Sequence, residues 1–197
     1  MNRTIDYGII DISITHYESC GYTRIEAPWL VTEDINNITK PDFASNYHVE
    51  HRGKKKTFVG SGEQSFLYML AKGYLPDGKY QTVTPCIRDN QFDELHTKYF
   101  IKNELIIIDS NAEEDYLSRL LDEMMDDASE FFKKIVPHDK GIRFDKTDEG
   151  CDITYFGYEL GSYGIRNSTL LGTWIYGTGV AEPRLSQLIN CLETYEE

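Results

Sequence analysis

The cysteines form no CxxC pair: Cys20, Cys86, Cys151 and Cys191 are spread along the chain. That spread excludes a zinc site of ordinary local spacing, and the four read as the reduced thiols of a cytoplasmic protein. The first ten residues, MNRTIDYGII, hold no apolar signal-like core, and no hydrophobic run reaches a membrane span. Internal repeats and low-complexity tracts are absent as well. Basic residues are few: 20 Lys and Arg stand against 33 Asp and Glu, a net charge of −13. A protein that grips nucleic acid by neutralising phosphates carries a basic face. Autonomous binding to a polyanion is therefore disfavoured unless the basic residues cluster.

What is present suits one globular domain, residues 1–197, since 40% of the residues are hydrophobic and 27% charged. Tyr7, Ile10, Ile14 and Tyr17 recur at helical spacing, so residues 4–19 predict a helix that Gly21 ends. Residues 22–27 read as a strand, stopped by Pro28. Residues 31–56 are polar and read as a loop, with the basic run HRGKKK at 51–56 either a solvated turn or a mobile loop near an anion. A short strand at 57–59 and a short helix at 65–72 follow. Residues 80–88 and 98–109 read as the two strands of a long hairpin.

Leu117, Leu120, Leu121, Met124, Met125, Ala128, Phe131, Phe132 and Ile135 define one amphipathic helix over 112–135. Strands return in DITYFGYEL and IRNSTLLGTWIYG, and Leu185, Leu188, Ile189 and Leu192 line one face of a last helix over 183–192. Hairpins outnumber crossovers. The expected class is α+β, a mainly antiparallel sheet flanked by helices.

Three stretches carry unusual polar detail. In the hairpin PCIRDNQFDELHTKYFIKNEL, period two places Cys86 with Arg88 on one face, and Phe100, Lys102 and Glu104 on one face. An Arg fork and an aromatic face suit an adenine nucleotide; a solvated sheet face with cross-strand ion pairs is the plainer reading. In CDITYFGYELGSYGIRN, Asp152 and Glu159 would face opposite ways on one regular strand. A turn at Gly157 could bring them together to hold a hard cation such as Mg²⁺; two unrelated surface acids are the alternative. In YGTGVAEPRLS, Gly177, Gly179 and Ala181 leave one side of a strand bare, and Pro183 is expected to open a helix with Arg184 in its first turn. That suits an anion at a helix start, or simply close strand–helix packing.

Together, in order and spacing, these motifs resemble the catalytic core of class II aminoacyl-tRNA synthetases, with most likeness to the aspartyl, asparaginyl and lysyl subgroup. GYTRIEAPWL at 21–30 is similar to the family's first motif. YQTVTPCIRDN at 80–90 with HTKYF at 96–100 is similar to the second, and GTGVAEPRL to the third. DITYFGYELGSYGIR at 152–166 is similar to a strand pair of the aspartyl enzymes. The resemblance covers about residues 5–190.

It implies that Arg88 clamps the α-phosphate of ATP, Phe100 stacks under adenine, His96 reaches the β/γ-phosphates and Arg184 the γ-phosphate. It also implies that Asp152 and Glu159 hold Mg²⁺, that Ser61, Glu63 and Glu104 meet the amino group of an amino acid, with Lys102 beside them, and that Arg166 contacts its side chain. An Arg there favours an aspartate- or asparagine-like substrate; pairing of Arg166 with an acid such as Glu63 or Glu104 is the bland alternative. The family forms homodimers through the first motif, where Tyr7, Tyr17, Tyr22 and Trp29 would supply aromatic contact. Asn90 stands where the family has Glu, and no anticodon-binding domain is expected. The implied activity is aminoacyl-adenylate formation, with tRNA or another acceptor; the alternative is a non-catalytic paralogue that binds nucleotide or amino acid as a regulator. A purely structural dimer module is the plainest reading.

Overall fold

The computed structural model describes residues 4–41, 44, 45, 47–89 and 97–196. Helix α1 (Tyr7–Ser19) starts where the Asp6 carboxylate accepts hydrogen bonds from the N–H groups of Gly8 and Ile9, satisfying donors the helix cannot. The chain leaves it through Gly21, whose φ of 87° is left-handed. The strand expected over 22–27 is only two residues long, β1 (Thr23–Arg24).

The polar stretch expected as a loop is structured. It holds β2 (Leu30–Val31), the short helix α2 (Glu33–Asn36), β3 (His48–His51) and β4 (Lys54–Phe58), and the strands form a small antiparallel sheet in the order β2–β4–β3. The basic run is its hairpin turn. His51 pairs with Lys54, and Arg52 and Gly53 both take positive φ, 51° and 73°, the geometry of a two-residue type I′ turn. No apolar alternation marks these strands: Val31 and Thr57 are their buried residues, and β3 and β4 are otherwise half-buried or exposed.

Then come α3 (Gly62–Ala71), β5 (Gly78–Ile87), β6 (Tyr99–Ile108), α4 (Glu114–Ile135), β7 (Ile142–Lys146), β8 (Gly150–Tyr155), β9 (Tyr158–Ser168), β10 (Gly172–Glu182) and α5 (Arg184–Glu196). The main sheet has seven strands in the order β1–β5–β6–β10–β9–β8–β7. Among the described residues only the β1–β5 pair is parallel. Strand β7 had no counterpart in the sequence reading, and a turn at 169–171 splits IRNSTLLGTWIYG between β9 and β10. Pro183 does not open α5. Its carbonyl accepts from the Gln187 N–H, so it sits in the cap position, one residue before the assigned helix.

Alternation along β6 decides where everything lies. Leu105 and Ile107 join a core with α1, α4 and α5 that includes Ile10, Tyr17, Met124, Phe131 and Leu188. Ile106 and Ile108 join a second core with α3 that includes Phe66, Leu67 and Trp174. Since side chains alternate, Phe100, Lys102 and Glu104 must point to the α3 side. Tyr17 and Tyr22 belong to the first core and are fully buried. They therefore give no surface contact at the 5–30 region, where Tyr7 and Trp29 alone of the four are exposed.

Of the three small residues expected on one bare side of β10, Gly177 and Gly179 face the helices, whereas a bulge between Thr178 and Val180 puts Ala181 opposite Lys102 on the other side. A Cβ on Gly177 would crowd the Met124 sulfur and lie 2.7 Å from the Tyr163 ring, and one on Gly179 would lie 2.9 Å from the Tyr17 ring. Close strand–helix packing accounts for these glycines, and they take no part in the cavity on the other face.

Candidate functional site

On the α3 side, beyond that helix's first turn, the sheet opens into a cavity of about 240 Å³. Strands β5 and β6 form one wall, β9 and β10 the other, and Thr39, Lys40, Pro41, Ala44 and Ser45 lie along its rim. The first turn of α3 sits directly on the sheet. A Cβ on Gly62 would be 2.9 Å from that of Glu104 and 3.2 Å from the Thr84 hydroxyl. Ser61 precedes this turn, lines the cavity and makes no side-chain cap hydrogen bond.

One end of the cavity is acidic. Glu63 is buried, its side chain 5% exposed; it accepts from Arg166 Nη1 at 2.5 Å and from Trp174 Nε1 at 2.8 Å. Burial pushes its carboxyl above the ordinary range, against the pull of Arg166 and Trp174. Glu104 accepts from Lys102 Nζ at 2.8 Å through Oε1, while its buried Oε2 has no partner among the described residues. A buried carboxylate oxygen whose lone pairs accept no hydrogen bond is costly unless something donates to it. Cys86, paired with Phe100 on the same face of the sheet, is fully buried; burial raises its thiol pKa to about 12, so it supplies no nucleophile.

The other end is cationic. Arg88 donates from Nε to the Gly60 carbonyl at 2.7 Å, and its guanidinium lies 5.0 Å from the centre of the Phe100 ring. One face of the ring expected to stack on a base thus already carries a cation. Arg184 donates to Glu159 Oε1 at 2.7 Å. Burial would raise the Glu159 carboxyl, but Arg184, together with Lys102 and Arg88, holds it below the usual range. Lys40, on the rim, donates to the Ala44 carbonyl at 2.8 Å.

The parity problem of Asp152 and Glu159 is solved by the backbone. A two-residue turn at Phe156 and Gly157, with φ of 49° and 84°, joins β8 to β9. A bulge then shifts the register, so that Thr154 pairs with Glu159 while Asp152 pairs with Ser162. The extra residue puts Glu159 on the face of Ser162, and both line the cavity. Asp152 is one strand further out and does not line it. Its Oδ1 is buried without a partner among the described residues. Burial and the like charge of Glu159 raise its pKa, opposed by a hydrogen bond from Ser162. Among the described residues no cluster of three or more His, Cys, Asp or Glu could hold a metal by itself. Asn90 and His96 lie outside the described residues.

Arg166 lines the cavity but is not free in it. Besides Glu63 it binds Glu149, a residue absent from the sequence reading, and it packs on the Tyr176 ring with 3.9 Å between guanidinium carbon and ring centre. Tyr176 and Thr178 share the cavity face of β10 with Trp174 and were also missed. The alternation that places Gly177 and Gly179 on the helices would have found them.

No protein-family description and no curated protein match this sequence. Solved structures do. The cytoplasmic serine-tRNA ligase of Naegleria fowleri, solved with AMP, superimposes with a TM-score of 0.71 at 16% identity, over 92% of this chain and 52% of that one. The pyrrolysyl-tRNA synthetase of Desulfitobacterium hafniense gives 0.70 at 13%, over 92% and 68%. The seryl-tRNA synthetase of Pyrococcus horikoshii, solved with ATP, gives 0.69 at 13%, over 93% and 49%. The fold is therefore that of the class II aminoacyl-tRNA synthetase catalytic core. This chain spans about half the length of the two seryl enzymes.

Proposed function

We propose that this protein binds ATP and an amino acid and joins them as an aminoacyl-adenylate. The observation that carries the reading is the bipolar cavity: Glu63 and the unpartnered Glu104 oxygen at one end, Arg88 and Arg184 at the other. A zwitterion with its ammonium on Glu104 has its carboxylate turned toward the arginines. An α-phosphate held by Arg88 then lies in line for attack by a carboxylate oxygen, with pyrophosphate leaving toward Arg184. Such a step needs positioning and charge neutralisation and no protein nucleophile. Phe100 offers its open face to the base. Glu159, with Asp152 on the neighbouring strand, is the set that would hold Mg²⁺: two carboxylates, one with a buried unpartnered oxygen, suit a hard cation, which when bound would offset charge on the phosphates.

Amino-acid-dependent exchange of pyrophosphate into ATP, run across the twenty amino acids, tests the reading. Exchange that Arg88→Ala abolishes is the expected result. The acceptor of the acyl group, tRNA or another molecule, homodimerisation near residues 5–30, where Tyr7, Ile12 and Trp29 are exposed, and a cytoplasmic location belong to the same proposal. A regulatory, non-catalytic relative is the second reading, favoured by Asn90 in the place of a family glutamate. It predicts ligand binding with no exchange.

A further inference from the structure

We infer that Glu149 determines which amino-acid side chain this cavity takes, by occupying the edge of Arg166 that would otherwise receive a carboxylate. The inference rests on the reading of the cavity as an amino-acid site.

A guanidinium is a flat fork with two usable edges. In Arg166 one edge is committed to Glu63 through Nη1. Along the other, Nε and Nη2 both donate to Glu149 Oε2, at 3.0 and 2.5 Å. The Tyr176 hydroxyl donates to that same oxygen at 3.2 Å, and its ring covers a face of the guanidinium. Three donors therefore converge on one carboxylate oxygen, and the donors a bound carboxylate would use are taken. Here the carboxylate belongs to the chain itself.

The two acids differ in how firmly they are held. Glu63 is 5% exposed and fixed by Trp174, whereas Glu149 is 54% exposed and sits on the turn between β7 and β8. The turn is anchored by its backbone. The Glu149 carbonyl accepts from the Ile165 N–H at 3.3 Å, and a Cβ on Gly164 would strike that carbonyl. Gly150 N donates to the Thr147 hydroxyl at 3.1 Å. The backbone thus delivers the carboxylate to Arg166 while the side chain keeps access to water.

The charge balance follows. One guanidinium faces two carboxylates, so this corner is net negative when both are ionised. A ligand carboxylate must displace Glu149 or meet it as a like charge, which costs it binding. An amide or hydroxyl side chain meets neither obstacle, since its own N–H or O–H can donate to the carboxylates. The cavity as built selects a neutral polar side chain and excludes aspartate and glutamate through a repulsive element. This narrows the expectation drawn from Arg166 to its asparagine-like half.

The experiment measures binding of asparagine, serine, aspartate and glutamate by calorimetry, with and without Mg·ATP, to wild type, Glu149→Gln and Glu149→Ala. The expected result is that wild type prefers asparagine or serine, and that removing the Glu149 charge raises aspartate affinity by about tenfold or more relative to asparagine. Glu149→Gln keeps the shape of the turn residue should the alanine variant be poorly folded. Preference of wild type for aspartate overturns the inference, as does an aspartate-to-asparagine ratio that neither variant changes. If Mg·ATP binds but no amino acid binds to any form, the amino-acid reading of the cavity fails first and this inference falls with it.

Discussion

Glu63 and Glu149 hold the same guanidinium, yet their surroundings make them unequal. Truncating Glu63 leaves the buried Trp174 N–H unpaired and strips Arg166 of its interior partner. Glu63→Ala should therefore cost about 3 kcal/mol of stability, as for other broken buried ion pairs. Glu149 is half exposed, so Glu149→Ala should cost less than about 1 kcal/mol; equal shifts of the urea midpoint for the two variants would refute this ranking. The pH dependence has a definite sign. Hydrogen bonding to Arg166, opposed by burial, holds Glu149 below its ordinary value. Its contribution is present above the unfolded Glu pKa of about 4.3 and is lost as pH falls through the lower folded value. The stability gap between wild type and Glu149→Gln should close across that acidic window and stay constant above it. At this scale the sequence was legible where a strand carried the residues. Period two put Phe100, Lys102 and Glu104 on one face, and all three line the cavity. Glu149 was illegible because its place depends on a turn docking over Gly164, a contact with no local pattern.

Among the elements, β10 shows how one strand serves two surfaces. Trp174, Tyr176 and Thr178 face the cavity side while Gly177 and Gly179 admit Met124 and Tyr17 on the other. Gly177→Ala should overpack the helix side and cost about 1–3 kcal/mol, read as a lower urea midpoint. Affinity for Mg·ATP should stay within a factor of about two, since the added methyl is on the far face of the sheet. Loss of ATP binding in a folded Gly177→Ala protein would return that glycine to the site. The long helix was legible from its apolar stripe, and α4 buries Leu117, Leu120, Met124, Phe131 and Phe132 along it. The β3–β4 hairpin was not, because its strands are polar and its turn uses Arg52 at positive φ, where Asn, Asp or Gly is the usual signal. The Asp152–Glu159 pair sits between these cases. Gly157 announced the turn, but the bulge that turns Glu159 toward the cavity leaves no mark in the residue types.

For the whole molecule, a net charge of −13 makes a cavity end lined by Arg88 and Arg184 an exception to its surroundings. The cations are kept there by neutralising contacts inside the fold: Glu159 on Arg184, the Gly60 carbonyl and the Phe100 ring on Arg88. An anion that enters gains charge-assisted hydrogen bonds and adds connections between the β5–β6 hairpin and the start of α5. Because the binding set exists only when these elements are assembled, ligand and fold are linked. Mg·ATP at 100 times its Kd should add about 2.7 kcal/mol to unfolding, which for a domain of this size raises the melting temperature by about 5–10 °C. Arg184→Ala should remove most of that rise while changing the unliganded melting temperature little, since its ion pair with Glu159 is partly open to water. The same melting curves taken with magnesium alone separate a metal effect from a nucleotide effect. No rise at millimolar Mg·ATP, or a rise that survives loss of both Arg88 and Arg184, would move the nucleotide out of this cavity.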